Sequence, residues 1–251
     1  MQEFYCKTRV IFGNDAWQWL SGRKWERLLL VADPYFVESG WAQRIADMVQ
    51  TEKKEIWDKV KPDPTVELAA EGTALMREFK PDLLIALGGG SAMDTAKAMV
   101  YFAGDGVTFV AVPTTSGSGS EVTDFAILTH GDVKQPLVDR RLQPDVALLI
   151  PELVEKLPPA LVADGGFDVL SHAAESFVAK NANPITQAMA ASSFSAVLPA
   201  FPPPIGAIPG CGRRSTWLPP WRAWLFLSQV WGCAMPCPTL WAGCSTFPMA
   251  G

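Results

Sequence analysis

Leu83-Leu84-Ile85-Ala86-Leu87-Gly88-Gly89-Gly90-Ser91-Ala92-Met93-Asp94-Thr95-Ala96-Lys97 is the stretch on which the chain turns. An apolar run feeds three glycines, a serine follows, and a helix-forming segment takes over. That order predicts a buried strand, a tight turn and a helix N-terminus. Bare glycines let an anion approach the backbone, and the N–H groups left over at a helix start attract it. Taken alone, the stretch fits equally well a Gly-rich βα turn that binds nothing; its surroundings decide.

Upstream, Thr8–Gly13 reads as a short strand and Asp15 as the cap of a helix ending near Leu20. Leu28–Ala32 is a continuous apolar strand of the kind buried on both faces of a parallel sheet, and it ends at Asp33-Pro34. The segment from Gly40 to Gln50 has helical periodicity, with Trp41, Ile45 and Met48-Val49 on one side. Glu55–Trp57 is a weak strand. Pro62-Asp63-Pro64-Thr65 is a rigid turn whose Thr65 caps a helix running to Phe79. Downstream, Val107–Val112 is a second buried strand, followed by the hydroxyl-rich loop Pro113-Thr114-Thr115-Ser116-Gly117-Ser118-Gly119-Ser120-Glu121. Thr123–Thr129 and Val133–Val138 form a strand pair about His130-Gly131-Asp132, and Val146–Ile150 is a last strand. Alternating strands and helices predict an α/β protein with a Rossmann-like, doubly wound parallel sheet. Two glycine/hydroxyl loops at the C-terminal ends of two of its strands lie where such sheets hold ligands.

Beyond Pro151 the pattern becomes helical. Ala160–Lys180 is a helix interrupted at Gly165-Gly166, and a further helix runs from Pro184 to about Val197. The expected division is a dinucleotide-binding domain over 1–150, a partial helical metal-binding domain over 151–198 and a tail over 199–251. Asp168 and His172 are four residues apart, so a helix sets them one turn apart on one face, where a carboxylate and an imidazole can share a divalent metal. Glu175 lies on nearly the same face. A helix-surface hydrogen bond accounts for that spacing as readily.

Of the 251 residues 49% are hydrophobic, and the formal net charge is -5. Acidic balance argues against nucleic acid or an anionic membrane surface as partner. With neither a signal sequence nor a membrane-length apolar run in view, the expected location is cytoplasmic.

The combined motifs resemble the iron-containing (group III) alcohol dehydrogenases, and among them most of all the propanol/ethanol dehydrogenases. The residues that carry the resemblance are Gly88-Gly89-Gly90-Ser91-x-x-Asp94-x-x-Lys97, Pro113-Thr114-Thr115-x-Gly117-x-Gly119-Ser120-Glu121, Asp168-x-x-x-His172-Ala173-x-Glu175, and the Pro62–Thr65 turn with Asp63 where the family has Asn. The resemblance implies hydride transfer between NAD(H) and a short-chain primary alcohol or its aldehyde, assisted by Fe(II), with Zn(II) as the alternative metal. A glycerol-dehydrogenase-like polyol oxidoreductase and a catalytically inactive nucleotide-binding fragment are the alternatives. It further implies that Gly89, Gly90 and Ser91 hold the pyrophosphate of the cofactor, that Asp94 belongs to the cofactor-binding set, and that Thr114, Thr115 and Ser118 line the nicotinamide side. Lys134 and Asp63 would sit at the nucleotide. Asp33 would hold the adenosine ribose and repel a 2′-phosphate, which favours NAD. Asp168 and His172 would be metal ligands. A family-type homo-oligomer is compatible with the intact product.

The likeness stops near residue 198. From Pro199 to Gly251 there is no Asp, Glu, Lys or His; this tail holds five of the ten Trp, ten of the 21 Pro and four of the five Cys. Cys211, Cys233, Cys237 and Cys244 lack the paired spacing of a zinc site. The two further His ligands that the resemblance calls for are missing, so the chain as given is expected to be inactive. Codons assembled from the third base of one tail residue and the first two of the next can spell GLGLCHALSHTLGGMFHVPHG over Gln229–Gly251. The tail is therefore expected to be an out-of-frame translation that begins near Leu198–Pro202, irregular in structure and sticky through its Trp residues.

Overall fold

The computed structural model describes residues 5–198 apart from Asp105, Ser116 and Lys156. The expectations for the tail, its four Cys included, lie outside the described residues.

The elements run β1 (Arg9–Phe12), α1 (Gln18–Ser21), β2 (Lys24–Ala32), α2 (Pro34–Glu38), α3 (Trp41–Met48), β3 (Gln50–Trp57), α4 (Val66–Phe79), β4 (Leu83–Gly88), α5 (Gly90–Ala103), β5 (Thr108–Pro113), β6 (Phe125–His130), β7 (Val133–Val138), β8 (Val146–Leu149), α6 (Pro151–Val154), α7 (Pro159–Val178) and α8 (Pro184–Val197). Six strands form one sheet in the order β1-β8-β5-β4-β2-β3, and every pairing is parallel. β6 and β7 form a separate antiparallel hairpin.

Parallel strands need crossover helices, and those helices cover both faces of the sheet, so the central strands must be apolar throughout. β4 meets that demand at every residue from Leu83 to Gly88. Its odd positions, Leu83, Ile85 and Leu87, join Leu28, Leu30 and Val110 under Leu20, Ile45 and Ala46 of α1 and α3. Its even positions, Leu84 and Ala86, join Leu29, Val31 and Phe109 under Met76 of α4 and Met93, Ala96 and Met99 of α5. The two-residue period of a strand thus sorts one apolar run into two cores.

From β2 the chain steps outward to β3, returns to β4 beside β2, and then moves the other way through β5 and β8. Strand order reverses between β2 and β4. Ligands of open α/β sheets lie outside the carboxyl ends of the strands at such a point. Asp33 follows β2 and Gly88 closes β4, and both stand there.

Local differences from the sequence reading have identifiable causes. Asp15 does not cap α1, which starts after Trp17 with no side-chain cap. The helix expected to reach Gln50 stops at Met48. Gln50 instead begins β3, a longer strand than the expected Glu55–Trp57, because Lys24–Val31 of β2 pair it along its length. Its Gln-Thr-Glu-Lys-Lys-Glu run is an edge strand and carries no apolar period. Gly165-Gly166 does not interrupt α7, which continues through both to Val178. Thr65 does cap α4, its side chain accepting from the Leu68 N–H. Asn183 and Thr186 form a capping box on α8.

Candidate functional site

The first loop is shaped by close approach. Gly88 has φ +154, and a Cβ there would lie 2.6 Å from the Ala92 Cβ and 3.2 Å from that of Asp33. Only glycine fits. α5 then begins at Gly90 with Gly89 as an N-cap that has no side chain to offer, so no side chain caps the helix start. The Ala92 and Met93 N–H groups both donate to the Gly89 carbonyl at 3.1 Å, which leaves those of Gly90 and Ser91 to face an anion at the positive end of a 14-residue helix.

The second loop closes over the first. A Cβ on Gly89 would meet Thr115 Oγ1 at 3.0 Å, and one on Gly90 would meet the Ser118 Cβ at 3.5 Å. The Thr114 N–H donates to the Gly88 carbonyl at 3.0 Å. Gly89, Gly90, Ser91, Thr114, Thr115 and Ser118 therefore form one patch at the carboxyl ends of β4 and β5. Asp33 borders it. Its backbone N–H donates to the Leu87 carbonyl, and its Oδ1 accepts from the Tyr35 N–H at 3.0 Å as the cap of α2.

Asp94 and Lys97 hold this patch in place from behind. Ser120 Oγ donates to Asp94 Oδ1 at 2.9 Å, and the Ile127 N–H donates to Oδ2 at 3.2 Å. Buried Lys97 donates to Thr123 Oγ1 and to the Phe125 carbonyl, each at 2.7 Å. One helix thereby ties the second loop to β6. Burial pushes the Asp94 carboxyl up, opposed by the Lys97 cation and the two hydrogen bonds. It pushes the Lys97 ammonium down to about 8, opposed by Asp94, Glu121 and Asp124. Sequence reasoning quoted Lys97 in its motif but gave it no task. The available signal was the three-residue spacing from Asp94, which puts both on one helix face.

Asp63 and Lys134 meet at a different place. Asp63 sits at φ 52 in the Pro62–Thr65 turn, and Lys134 Nζ reaches its Oδ1 at 2.6 Å from the β6–β7 hairpin. The Thr129 N–H donates to the Pro64 carbonyl at 2.8 Å, which fastens the turn to the hairpin.

Asp168 and His172 lie one turn apart on α7, with His172 Nε2 3.4 Å from Asp168 Oδ1. The His172 side chain keeps 12% exposure and that of Asp168 47%, so the imidazole is nearly covered while the carboxylate is half open. Burial pushes the imidazole down to about 4, against the Glu175 carboxylate and a hydrogen bond with the Gly117 backbone. His172 is thus neutral at neutral pH, the form that can offer a lone pair. Gly117 connects the two halves of the molecule. At φ +127 its Cβ would stand 3.0 Å from the Gly165 carbonyl oxygen and 3.1 Å from Asp168 Oδ2. The second loop therefore touches both the glycine patch and the α7 pair. The Gly165-Gly166 step leaves α7 bare of a side chain where the loop approaches.

Comparison with known proteins fits this arrangement. The iron-containing alcohol dehydrogenase profile matches residues 7–151, and the C-terminal profile of the same family matches residues 162–205. The chain belongs to the iron-containing alcohol dehydrogenase family. It is 36% identical over 209 residues to a 1-propanol dehydrogenase of Citrobacter freundii, a match that takes in 80% of this chain and 56% of that protein. The chain thus spans little more than half the length of that relative. The iron-containing alcohol dehydrogenase of Thermococcus thioreducens superimposes with a TM-score of 0.75 at 28% identity, covering 92% of this chain and 65% of the other. A sulfoacetaldehyde reductase from Bifidobacterium kashiwanohense in complex with NAD+ does so with a TM-score of 0.76 at 26% identity, covering 93% and 66%.

The described residues fit a dinucleotide and do not by themselves fit a catalytic metal. A cradle that a single Cβ would fill, open helix N–H groups and a second loop in contact suit a pyrophosphate. A catalytic metal takes about three protein ligands and keeps one position open. Among the described residues no group of three or more His, Cys, Asp or Glu is placed to hold one. His130, the only His besides His172, is on the hairpin, 3.9 Å from Glu67. No described helix is long and apolar enough to cross a membrane.

Proposed function

We propose that this chain holds NAD(H) between its two loops and belongs to an enzyme type that interconverts a short-chain primary alcohol and its aldehyde, and that the chain as given binds the dinucleotide without turning alcohol over. The observation that supports the reading is the meeting of Gly89 with Thr115 and Gly90 with Ser118 at the strand-order reversal. The helix start would take the pyrophosphate. Asp33 would accept from ribose hydroxyls through Oδ2, and its charge would repel a 2′-phosphate. Thr114, Thr115 and Ser118 would bound the nicotinamide side, on the loop that also reaches Asp168 through Gly117. When bound, NAD supplies the hydride acceptor for alcohol oxidation. Asp94 and Lys97 keep the loops at fixed distance, and their role is positioning. Lys134 and Asp63 would flank the nucleotide. Relatives whose names specify propanol favour a short primary alcohol over a polyol. A cytoplasmic setting and a homo-oligomer of the intact product are part of the same reading.

Calorimetric titration of the full chain with NAD+ and NADP+ tests the first half. Saturable binding with NAD+ preferred is expected, and absence of any nucleotide binding sinks the proposal. Alcohol-dependent NADH formation with added Fe(II) tests the second half, with none expected.

A further inference from the structure

We infer that the tail of this chain is the DNA of the missing half of its metal site read in the wrong frame, one nucleotide having been lost in codons 198–202. The inference shares with the proposed function only the absence of alcohol turnover in the chain as given. Its test reads nucleotides and metal content, so its failure would leave dinucleotide binding standing.

The structure supplies the need. α7 presents one carboxylate and one imidazole on one face, beside the Gly117 loop that also meets the glycine patch. Two donors of that kind bind a divalent first-row metal weakly, and nitrogen or oxygen donors are required to complete the set. Among the described residues, Leu161, Phe167, Phe177 and Val178 of α7 and Ile185 of α8 are large apolar side chains that stand exposed. Family similarity ends at residue 205 while the relatives continue.

The genetic code supplies the answer. Trp and Met each have one codon, so in the shifted reading Trp231-Gly232 must give Gly, Met235-Pro236 must give Ala, and Trp241-Ala242 and Met249-Ala250 must give Gly. Between these fixed points the permitted codons include a set that spells GLGLCHALSHTLGGMFHVPHG. That string contains a His-x-x-x-His, which on a helix puts two imidazoles one turn apart, the donor arrangement α7 lacks. The same reading of Trp217–Phe226 permits AATMAGxAF, with small helix-compatible residues where the given tail has Pro219-Pro220. Correct codons begin on the third base of the given ones, which is the register left by losing one base. One event accounts for the lost acids and histidines, the excess of Trp, Pro and Cys, and the abrupt end of similarity.

The nucleotides behind four residues decide. His requires C as the third base of the codons for Ala234, Pro238, Ser245 and Pro248. Sequencing the gene is expected to find C at all four, and any other base at one of them overturns the inference. Metal analysis of the purified full chain after Fe(II) loading and desalting is expected to find no retained iron. A gene with one nucleotide restored in codons 198–202 is expected to yield protein that retains it stoichiometrically, and that loses it on His172→Ala. Stoichiometric iron in the chain as given, or none in the restored one, refutes the idea.

Discussion

Every residue of β4 from Leu83 to Gly88 is buried, whereas Val178 of α7 is 80% exposed and Phe167 is 61% exposed. The sheet half of the molecule sorts its apolar side chains into two continuous cores. Among the described residues, α7 and α8 contribute one small cluster, Val169 and Val197 with Leu170 packed against them. Both halves obey the same periodicity rules. They differ in how much of the apolar face that the periodicity creates lies against other described residues. A parallel sheet within 150 residues supplies its own cover, because each crossover helix is encoded beside the strand it covers. A helix pair needs further helices, which must come from later sequence.

The sharpest way to break this contrast is to cut into each half equally. Ile85→Ala, in the middle of the sheet, is expected to cost about 2–5 kcal/mol, since it removes fully buried atoms in a site that cannot collapse. Chemical denaturation of the full chain checks it, and a loss much below 1 kcal/mol would mean that the sheet is not the stable half. Lys97→Met is expected to cost about 3–5 kcal/mol, because it leaves the Asp94 carboxylate without its cation and the Phe125 carbonyl without its donor. Lys97 also carries a pH signature. Unfolded, it titrates near 10.5, and folded near 8, so between these values the unfolded chain holds one more proton. Its contribution to stability is therefore least favourable below pH 8 and rises with pH through that window. The Met variant should lose that increment, and an unchanged pH profile would place the ammonium in a more solvated setting than the structure gives it.

Gly88→Ala probes the junction of fold and function. The added Cβ meets Ala92 at 2.6 Å with φ at +154, so the start of α5 must move. About 1–3 kcal/mol of stability and at least about tenfold in NAD+ affinity are expected to be lost, read by denaturation and by calorimetry. If affinity survives while stability falls, the cradle is not where the dinucleotide sits.

How much of this was legible in the sequence follows from the same contrast. Leu28–Ala32, Leu83–Leu87 and Val107–Val112 announce buried parallel strands, because a strand covered on both faces has to be apolar nearly throughout. β3 was read too short since an edge strand has one neighbour and needs no such run; its pairing partner, β2, is far away in sequence. The helix break expected at Gly165-Gly166 did not occur, because tertiary contact with Gly117 outweighs the helix cost of two glycines, about 1 kcal/mol each. In the site, the glycine loops were visible through conformational necessity. The bonding of Lys97 to Thr123 and Phe125 was not, since no local pattern tells a buried lysine from a solvated one.

Val178→Ser tests the other side of the comparison and carries the smallest expected effect. Val178 ends α7, and with most of its surface already in solvent the substitution removes little buried area. The stability change should fall within about 0.5 kcal/mol, while solubility and resistance to self-association should improve. In protein from a frame-restored gene the same substitution should become costly, because the later helices would bury that face. A cost above 1 kcal/mol in the chain as given would mean that the surface of α7 is already covered. The difference between the two backgrounds therefore reports, at one residue, whether the helical half has been given the sequence it was built to pack against.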